Sequence, residues 1–391
     1  MKDRYDVLVI GGGPAGSTAA RFAALNGASV ALIERDREIG VPVRCAEGIS
    51  DVGLRKIIDI NPKWIATTIR NFRFYSPTKQ QVEIHSNEIG YIINRRIFDH
   101  DLAVEAMKCG AEIFTKATAH RLARTESGFL NVFIRYENRE RTVQTKIVIA
   151  ADGIESRIAR MAGIQTNLPL KDIESCAQIF AGNVDIDSER IDFYLSERWS
   201  PGGYVWVFPK GERMANIGLG VNGSMTNGHS AAEYLNGFLE ENFPNASRLT
   251  TIYGGVPVST NLAELVADGL MVVGDAAHQV NPLTGGGISS AMASGKMAGT
   301  VAADAIRIGN TSRKKLRAYE TEWNRTIGKD YRRFYRLKQW ICNMTDEDFE
   351  EIASAFQGMN PTDVKMSSIF RLAVKNKPSL IVDAIKAFSG F

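Results

Sequence analysis

Tyr5 leads into Val7-Leu8-Val9-Ile10, an unbroken apolar run of the kind that forms a strand buried on both faces of a parallel sheet. Gly11-Gly12-Gly13-Pro14-Ala15-Gly16 follows without a spacer, and Ala19, Ala20, Phe22 and Ala23 then recur at helical spacing until Asn26-Gly27 stops the helix. Residues 29–33 read as a second buried strand, ending in Glu34. The design returns twice. Residues 146–150 form an apolar run into Asp152-Gly153, with a helix from 156 to 162. Residues 270–273 form another into Gly274-Asp275, after which Pro282 and Gly285-Gly286-Gly287-Ile288 open a small-residue helix through Ala291, Gly295 and Gly299. Elsewhere the pattern differs. Residues 91–93 and 131–134 read as strands, and 99–109 as a helix. The runs at 175–184, 192–195, 204–208 and 215–220 predict an antiparallel sheet, and 312–343 is helical. The predicted fold is α/β (α+β overall). A Rossmann-like nucleotide-binding domain (1–66, 90–165 and 261–310) is interleaved with a β-rich substrate domain (67–89 and 166–260), followed by a C-terminal helical region (311–391).

The length of 391 residues agrees with more than one domain. Forty-seven Lys and Arg against 44 Asp and Glu give a net charge of +3, too balanced for a nucleic-acid-binding body. Four scattered cysteines, Cys45, Cys109, Cys176 and Cys342, offer neither a disulfide framework nor metal-ligand spacing; no metal is expected, and a reducing cytoplasm is. The first apolar run is short and breaks into glycines, unlike a signal peptide, and no stretch is long enough to span a bilayer.

Each part of the glycine turn has a task. Gly11 permits the tight turn, Gly13 lets backbone approach a pyrophosphate, and Gly16 lets helix and strand pack closely. The helix start presents N–H groups and partial positive charge to phosphates. Glu34 can accept hydrogen bonds from a ribose diol, which favours FAD or NAD over NADP. The later segments decide between those two. Together with the first they resemble the FAD-binding fold of the p-hydroxybenzoate hydroxylase class, which implies cofactor roles for Asp275, Gly287 and Ile288. Arg95-Arg96-Ile97-Phe98-Asp99 matches that class's R-x-x-F-D segment, implying Arg95 beside the cofactor, and the same likeness adds Ala119 to the contacting set. The expected cofactor is FAD, and the Rossmann-like domain is its binding domain.

Two further segments narrow the family. Cys45-Ala46-Glu47-Gly48 spells C-x-E-G, and residues 201–209 spell P-x-x-Y-x-W-x-F-P. Both resemble motifs of the geranylgeranyl reductase family, notably the archaeal digeranylgeranylglycerophospholipid reductases. The likeness runs from Tyr5 to about Thr345. It implies a prenylated lipid substrate whose isolated double bonds are saturated by hydride from reduced FAD plus a proton. It places Cys45 near the flavin, with the backbone of Cys45, Ala46 and Gly48 lining the cofactor. There the thiol can orient substrate, tune the flavin or supply the proton; a buried packing residue is the alternative. Glu47 either anchors this loop or joins the chemistry, and His278 is a candidate acid or a structural loop residue. Tyr204, Trp206 and Phe208 alternate and so project from one face of a strand, suited to wall a prenyl channel or to fill a domain core. Residues 312–343 carry ten Lys and Arg interleaved with aromatics, which suits either docking at an anionic lipid surface or packing on the body. Residues 380–388 are a second amphipathic candidate. The expected location is cytoplasmic, with peripheral contact at the inner face of the membrane. The electron donor is left open among NAD(P)H, ferredoxin or similar. The rival classes are a flavin monooxygenase or halogenase acting on an aromatic, and a non-catalytic isoprenoid carrier.

Overall fold

The apolar runs of the sequence become the centre of one sheet, and the alternating runs become a second. The structure, a computed structural model, describes residues 1–375 and Ile381. The first third of the chain forms β1 (Arg4–Ile10), α1 (Pro14–Leu25), β2 (Val30–Ile33), β3 (Gly48–Ser50), α2 (Asp51–Arg55), β4 (Ile65–Tyr75), β5 (Gln81–Ile93) and α3 (Arg95–Lys108). Next come β6 (Glu112–Phe114), β7 (Ala117–Arg124), β8 (Leu130–Tyr136), β9 (Arg139–Ala150), α4 (Arg157–Met161), β10 (Ile173–Gly182), β11 (Arg190–Tyr194), β12 (Tyr204–Gly211) and β13 (Met214–Asn222). The rest comprises α5 (Ala231–Asn242), β14 (Ser247–Pro257), β15 (Val266–Ala267), β16 (Leu270–Val272), α6 (Ile288–Arg307), α7 (Arg313–Trp323), α8 (Lys329–Ile341), α9 (Asp346–Phe356) and α10 (Met366–Ala373).

The first sheet has the order β15-β16-β9-β1-β2-β6, with β8 and β7 continuing antiparallel from β9. From β16 to β6 it is parallel, and Val9 stands opposite Leu32 on one side and Ile149 on the other. Val7, Leu8 and Val9 are fully buried, as helices on both faces require. The helix α1 packs against α3 and α6. Its crossing with α6 is too close for side chains: a Cβ on Gly295 would lie 2.3 Å from the Ala15 carbonyl oxygen, and one on Gly299 the same distance from that of Ala19. That approach also brings Gly274 beneath the first turn of α1, where its Cβ would stand 2.8 Å from Ala15.

The second sheet has the order β14-β10-β13-β12-β11-β4-β5-β3. It is antiparallel except for β4 and β11, which run parallel with Phe72 opposite Ile191. The reason is topological: the connection from β4 to β11 travels through the whole middle of the first domain, long enough for a parallel crossover. Hydrogen bonding continues past the divisions drawn from sequence at residues 67 and 90, since β3 pairs with the end of β5, Gly48 opposite Ile92. One face of this sheet is sealed by α5, against which Ala177, Ile179, Val205, Val207, Ile217 and Leu219 pack with Leu235 and Phe238. The opposite face is left for a cavity.

The C-terminal helices close that cavity. The helix α9 lies over β5, where Ala353 and Val364 pack on Val82 and Ile84. Two carboxylates fasten it. Glu350 accepts from the Ser76 hydroxyl (3.0 Å), the Thr78 N–H (2.5 Å) and the Gln80 amide (3.1 Å), and Asp346 accepts from the Ser196 hydroxyl (3.1 Å) and the Glu197 N–H (2.7 Å). The basic, aromatic segment forms α7 and α8, joined by a π-helical turn at Asn324–Gly328. Its apolar side chains turn inward: Tyr331, Phe334, Leu337 and Ile341 pack with Leu283, Met366 and Val374. Several of its cations pair locally, as in Arg325 with Glu322 and Arg333 with Asp330. The amphipathic tail at 380–388 lies outside the described residues apart from Ile381. Among the described residues no helix is long and apolar enough to cross a membrane.

Candidate active site

A cavity of about 1440 Å³ runs between the two sheets. It is lined by Gly11, Gly13, Ala15, Glu34, Cys45, Ala46, Gly48, Arg95, Ala119, Tyr204, Trp206, Phe208, Asp275, Gly287 and Ile288, whereas Gly16 lies behind the turn and outside the lining. His278 is not in that lining. It is 3% exposed, and burial pushes its pKa down to about 4 against a hydrogen bond with the Thr166 backbone. It is a neutral structural residue in the left-handed conformation, φ 55°.

The nucleotide end fits FAD. A Cβ on Gly13 would meet nothing within 4 Å, so the backbone there is bare toward the cavity. No side chain caps α1, which leaves its first N–H groups for phosphate oxygens. Gly11 has φ 108° and a Cβ there would strike the Ala151 carbonyl at 2.2 Å, while one on Gly16 would strike that of Gly11 at 1.9 Å. The Glu34 carboxylate accepts from the Gly12 N–H (2.7 Å) and the Asp36 N–H (2.9 Å). It therefore fixes the turn while keeping one lone pair on each oxygen for a diol. Further in, Arg95 grips Asp99 through two bonds of 2.6 and 2.7 Å. Its charge also faces Cys45 and Asp275. Among the described residues the Asp275 side chain has no hydrogen-bond partner, and burial, opposed by Arg95, raises its pKa where it lines the cavity.

The C-x-E-G loop is held by the second sheet. Glu47 is 3% exposed with φ 74°, and its carboxylate receives the Arg95 N–H (2.8 Å), the Lys210 ammonium (2.5 Å) and the Asn216 amide (2.7 Å). Gln178 donates to the Cys45 carbonyl (3.0 Å) and accepts from the Trp206 indole (2.9 Å), and Asn216 donates to the Ala46 carbonyl (3.2 Å). Glu47 is thus an anchor. Gln178, Lys210 and Asn216 were not foreseen; the available signal was a polar residue inside an apolar strand, as in Ala177-Gln178-Ile179 and Ala215-Asn216-Ile217. Burial raises the pKa of Cys45, opposed by Arg95, and the thiol accepts from the Glu47 N–H at 3.2 Å. It stays protonated at neutral pH.

The aromatics of β12 face this cavity, because their neighbours Val205 and Val207 occupy the core beneath α5. Tyr204 donates to the Thr284 carbonyl and meets Phe193 edge-on at 5.4 Å, and Phe208 meets the same Phe193 at 5.9 Å. Beyond them Phe74, Ile84, Val364 and Ile369 continue an apolar wall as far as α9 and α10.

Comparison with known proteins follows this division. Residues 6–201 match the FAD dependent oxidoreductase family, and residues 172–256 match the geranylgeranyl reductase catalytic domain. The digeranylgeranylglycerophospholipid reductase of Methanocella arvoryzae is 41% identical over 98% of this chain and 99% of its own length. The chain belongs to the digeranylgeranylglycerophospholipid reductase family. The relative of that name from Methanosarcina acetivorans is 43% identical over 98% of this chain and 96% of its own. Among solved structures, a geranylgeranyl bacteriochlorophyll reductase-like protein from Thermoplasma acidophilum superposes with a TM-score of 0.90 at 35% identity, covering 98% of this chain and 99% of its own. A flavin-dependent brominase reaches a TM-score of 0.71 at 18% identity over 96% of this chain and all of its own, a likeness of fold alone. The cofactor of this digeranylgeranylglycerophospholipid reductase family member is FAD.

Proposed function

We infer that the protein is an FAD-dependent reductase that saturates the isolated double bonds of geranylgeranyl chains on archaeal glycerophospholipid precursors. One observation carries this reading. The space holding Cys45, Arg95 and Asp275 opens without a partition into a chamber walled by Tyr204, Trp206, Phe208, Phe74 and Phe193. An apolar chain of prenyl length gains about 0.8 kcal/mol per buried CH₂ in such a chamber.

Gly11, Gly13, Ala15, Glu34, Arg95, Asp275, Gly287 and Ile288 would hold the cofactor, with Ala119 and the backbone of Cys45, Ala46 and Gly48 beside it. When bound and reduced, FAD supplies the hydride. The chain supplies the rest. An unactivated alkene has no carbonyl to share charge, so alignment and dryness must lower the barrier. In this reading Trp206 and Gln178 fix the Cys45 loop against the reacting part of the chain, where the protonated, uncharged thiol orients the double bond. The apolar wall under α9 keeps water from the double bond. The same reading includes peripheral contact with the lipid surface, since the substrate is a membrane lipid, and an external electron donor of the NAD(P)H or ferredoxin kind.

The test is anaerobic mixing of pre-reduced holoprotein with a geranylgeranylated glycerophospholipid, followed by mass spectrometry of the lipid. Stepwise gain of hydrogen pairs is expected. Unchanged lipid, or oxygen-dependent hydroxylation or halogenation of an aromatic instead, would overturn the reading.

A further inference from the structure

Saturating an alkene consumes a proton as well as a hydride, and the cavity contains an acid not yet given a task. On β10 the side chains of Glu174, Cys176 and Gln178 share the face that lines the cavity. Across from Cys176 and Gln178 stand Gly220 and Gly218 of β13, so a trough crosses the sheet at that point. A Cβ on Gly218 would fall 2.5 Å from the Trp206 ring; one on Gly220 would fall 3.4 Å from Cys176 Sγ and 3.7 Å from Glu174 Oε2. Tyr204, paired with Gly220 from the other side, borders the same trough.

Glu174 Oε1 accepts from the Asn222 amide at 3.2 Å, while Oε2 is buried and without a partner among the described residues. The surroundings leave it alone in its role. Burial and the nearby Glu174 charge hold Cys176 and Tyr204 above their ordinary ranges, and Cys342, whose thiol donates to the Gly202 carbonyl, is pushed up to about 12. Asp172 is occupied by the Tyr335 hydroxyl at 2.8 Å, and Lys338 by the Lys171 and Val258 carbonyls at 2.7 and 3.2 Å. Lys338 and Asn222 pull the Glu174 pKa down, but burial prevails and sets it at about 7. A carboxyl so placed holds a proton and can release it near neutrality.

We propose that Glu174 is the proton donor for alkene saturation, its Oε2–H directed into the trough between Tyr204 and Cys176. This rests on the prenyl reductase reading. The hydride pair enters one alkene carbon from the reduced cofactor, which is thereby oxidised. The Glu174 O–H bond breaks, a C–H bond forms at the adjacent carbon, and the carboxylate left behind takes its next proton from water.

Two measurements test this. In infrared difference spectra of oxidised holoprotein, wild type minus Glu174→Gln, the carbonyl band of a protonated carboxylic acid should be present at about pH 5.5 and gone by about pH 8.5. In rapid anaerobic mixing with geranylgeranylated lipid, Glu174→Gln should keep its FAD yet saturate at least tenfold more slowly. The wild-type rate should fall as pH rises through about 7, and the variant should lose that limb. Glu174→Asp should keep the limb at a reduced rate. A missing band, a Glu174→Gln rate within a few-fold of wild type, or an Asp variant as flat as the Gln variant would overturn the assignment. Absence of saturation by wild type would overturn the reductase reading instead, whatever the band does.

Discussion

Glu47→Gln is the substitution that most directly probes how the second sheet holds the C-x-E-G loop. The wild-type carboxylate is almost fully enclosed, its side chain 4% exposed and that of its Lys210 partner 13%. Removing one member of a buried pair costs about 3–5 kcal/mol, because the other charge is left uncompensated out of water. The glutamine amide cannot serve Lys210, Asn216 and the Arg95 N–H together, and the left-handed backbone at residue 47 itself stores roughly 1 kcal/mol that those bonds must offset. A loss of about 3 kcal/mol is therefore expected in urea unfolding of holoprotein at neutral pH, with earlier release of FAD. Lys210→Met should cost less, since Glu47 keeps two donors. The double variant should be more stable than the sum of the single losses predicts, by about 1–3 kcal/mol of coupling. If Glu47→Gln loses less than about 1 kcal/mol and the double variant is simply additive, the ion pair does not anchor the loop and the reasoning fails.

Three other outcomes are expected. Cys45→Ser should retain fold and FAD but slow lipid saturation at least tenfold, about 1.4 kcal/mol of barrier; unlike Glu174→Gln it should keep the pH limb, and near-normal rates would make Cys45 a packing residue. Gly295→Val should destabilise the protein by more than the roughly 1–3 kcal/mol of ordinary overpacking and weaken FAD retention, because its Cβ would enter the Ala15 carbonyl; a stable yellow variant would contradict the helix crossing. His278 has its folded pKa lowered to about 4 from an ordinary 6.5, so the unfolded chain binds more protons between those values and stability rises with pH across that window, by about 3 kcal/mol. Glu174, raised to about 7, acts in the opposite sense from about pH 4.5 upward. Urea titrations in a Glu174→Gln background should thus show a shallower acid limb for His278→Asn, and an unchanged slope would refute the assignment.

The nucleotide half was legible because its requirements are local. A buried strand, a glycine turn and a helix are written within thirty residues, and Gly16 answers a clash with nearby Gly11, although the clash that keeps Gly11 itself bare comes from the distant Ala151. The orientation of Tyr204, Trp206 and Phe208 was not legible, since alternation says that they share a face but not which layer meets it. Val205 and Val207 settled that only once α5 was seen to cover them. The loop anchors were hidden for the same reason. Gln178 and Asn216 are single polar residues in apolar strands, and their meaning depends on a Cys45 loop more than a hundred residues earlier. The parallel pairing of β4 with β11 likewise follows from the route of the connection, which no local pattern records.

The return of β16 and α6 to the first sheet also bears on how the protein is made. The ribosome releases the glycine turn and β1 early, but the strand beside β9 and the helix that meets α1 through Gly295 and Gly299 come only after the entire second sheet has been synthesised. Until then the nascent chain has one wall of a cofactor site and an uncovered face on α1. Contacts so distant in sequence form slowly, because a long loop must close before they repay its entropy. The strands of the second sheet, which come from both sides of β6–β9, are all synthesised before the first sheet can be completed. FAD has a complete site only late in translation, and binding it then is a means of sealing α6 onto α1.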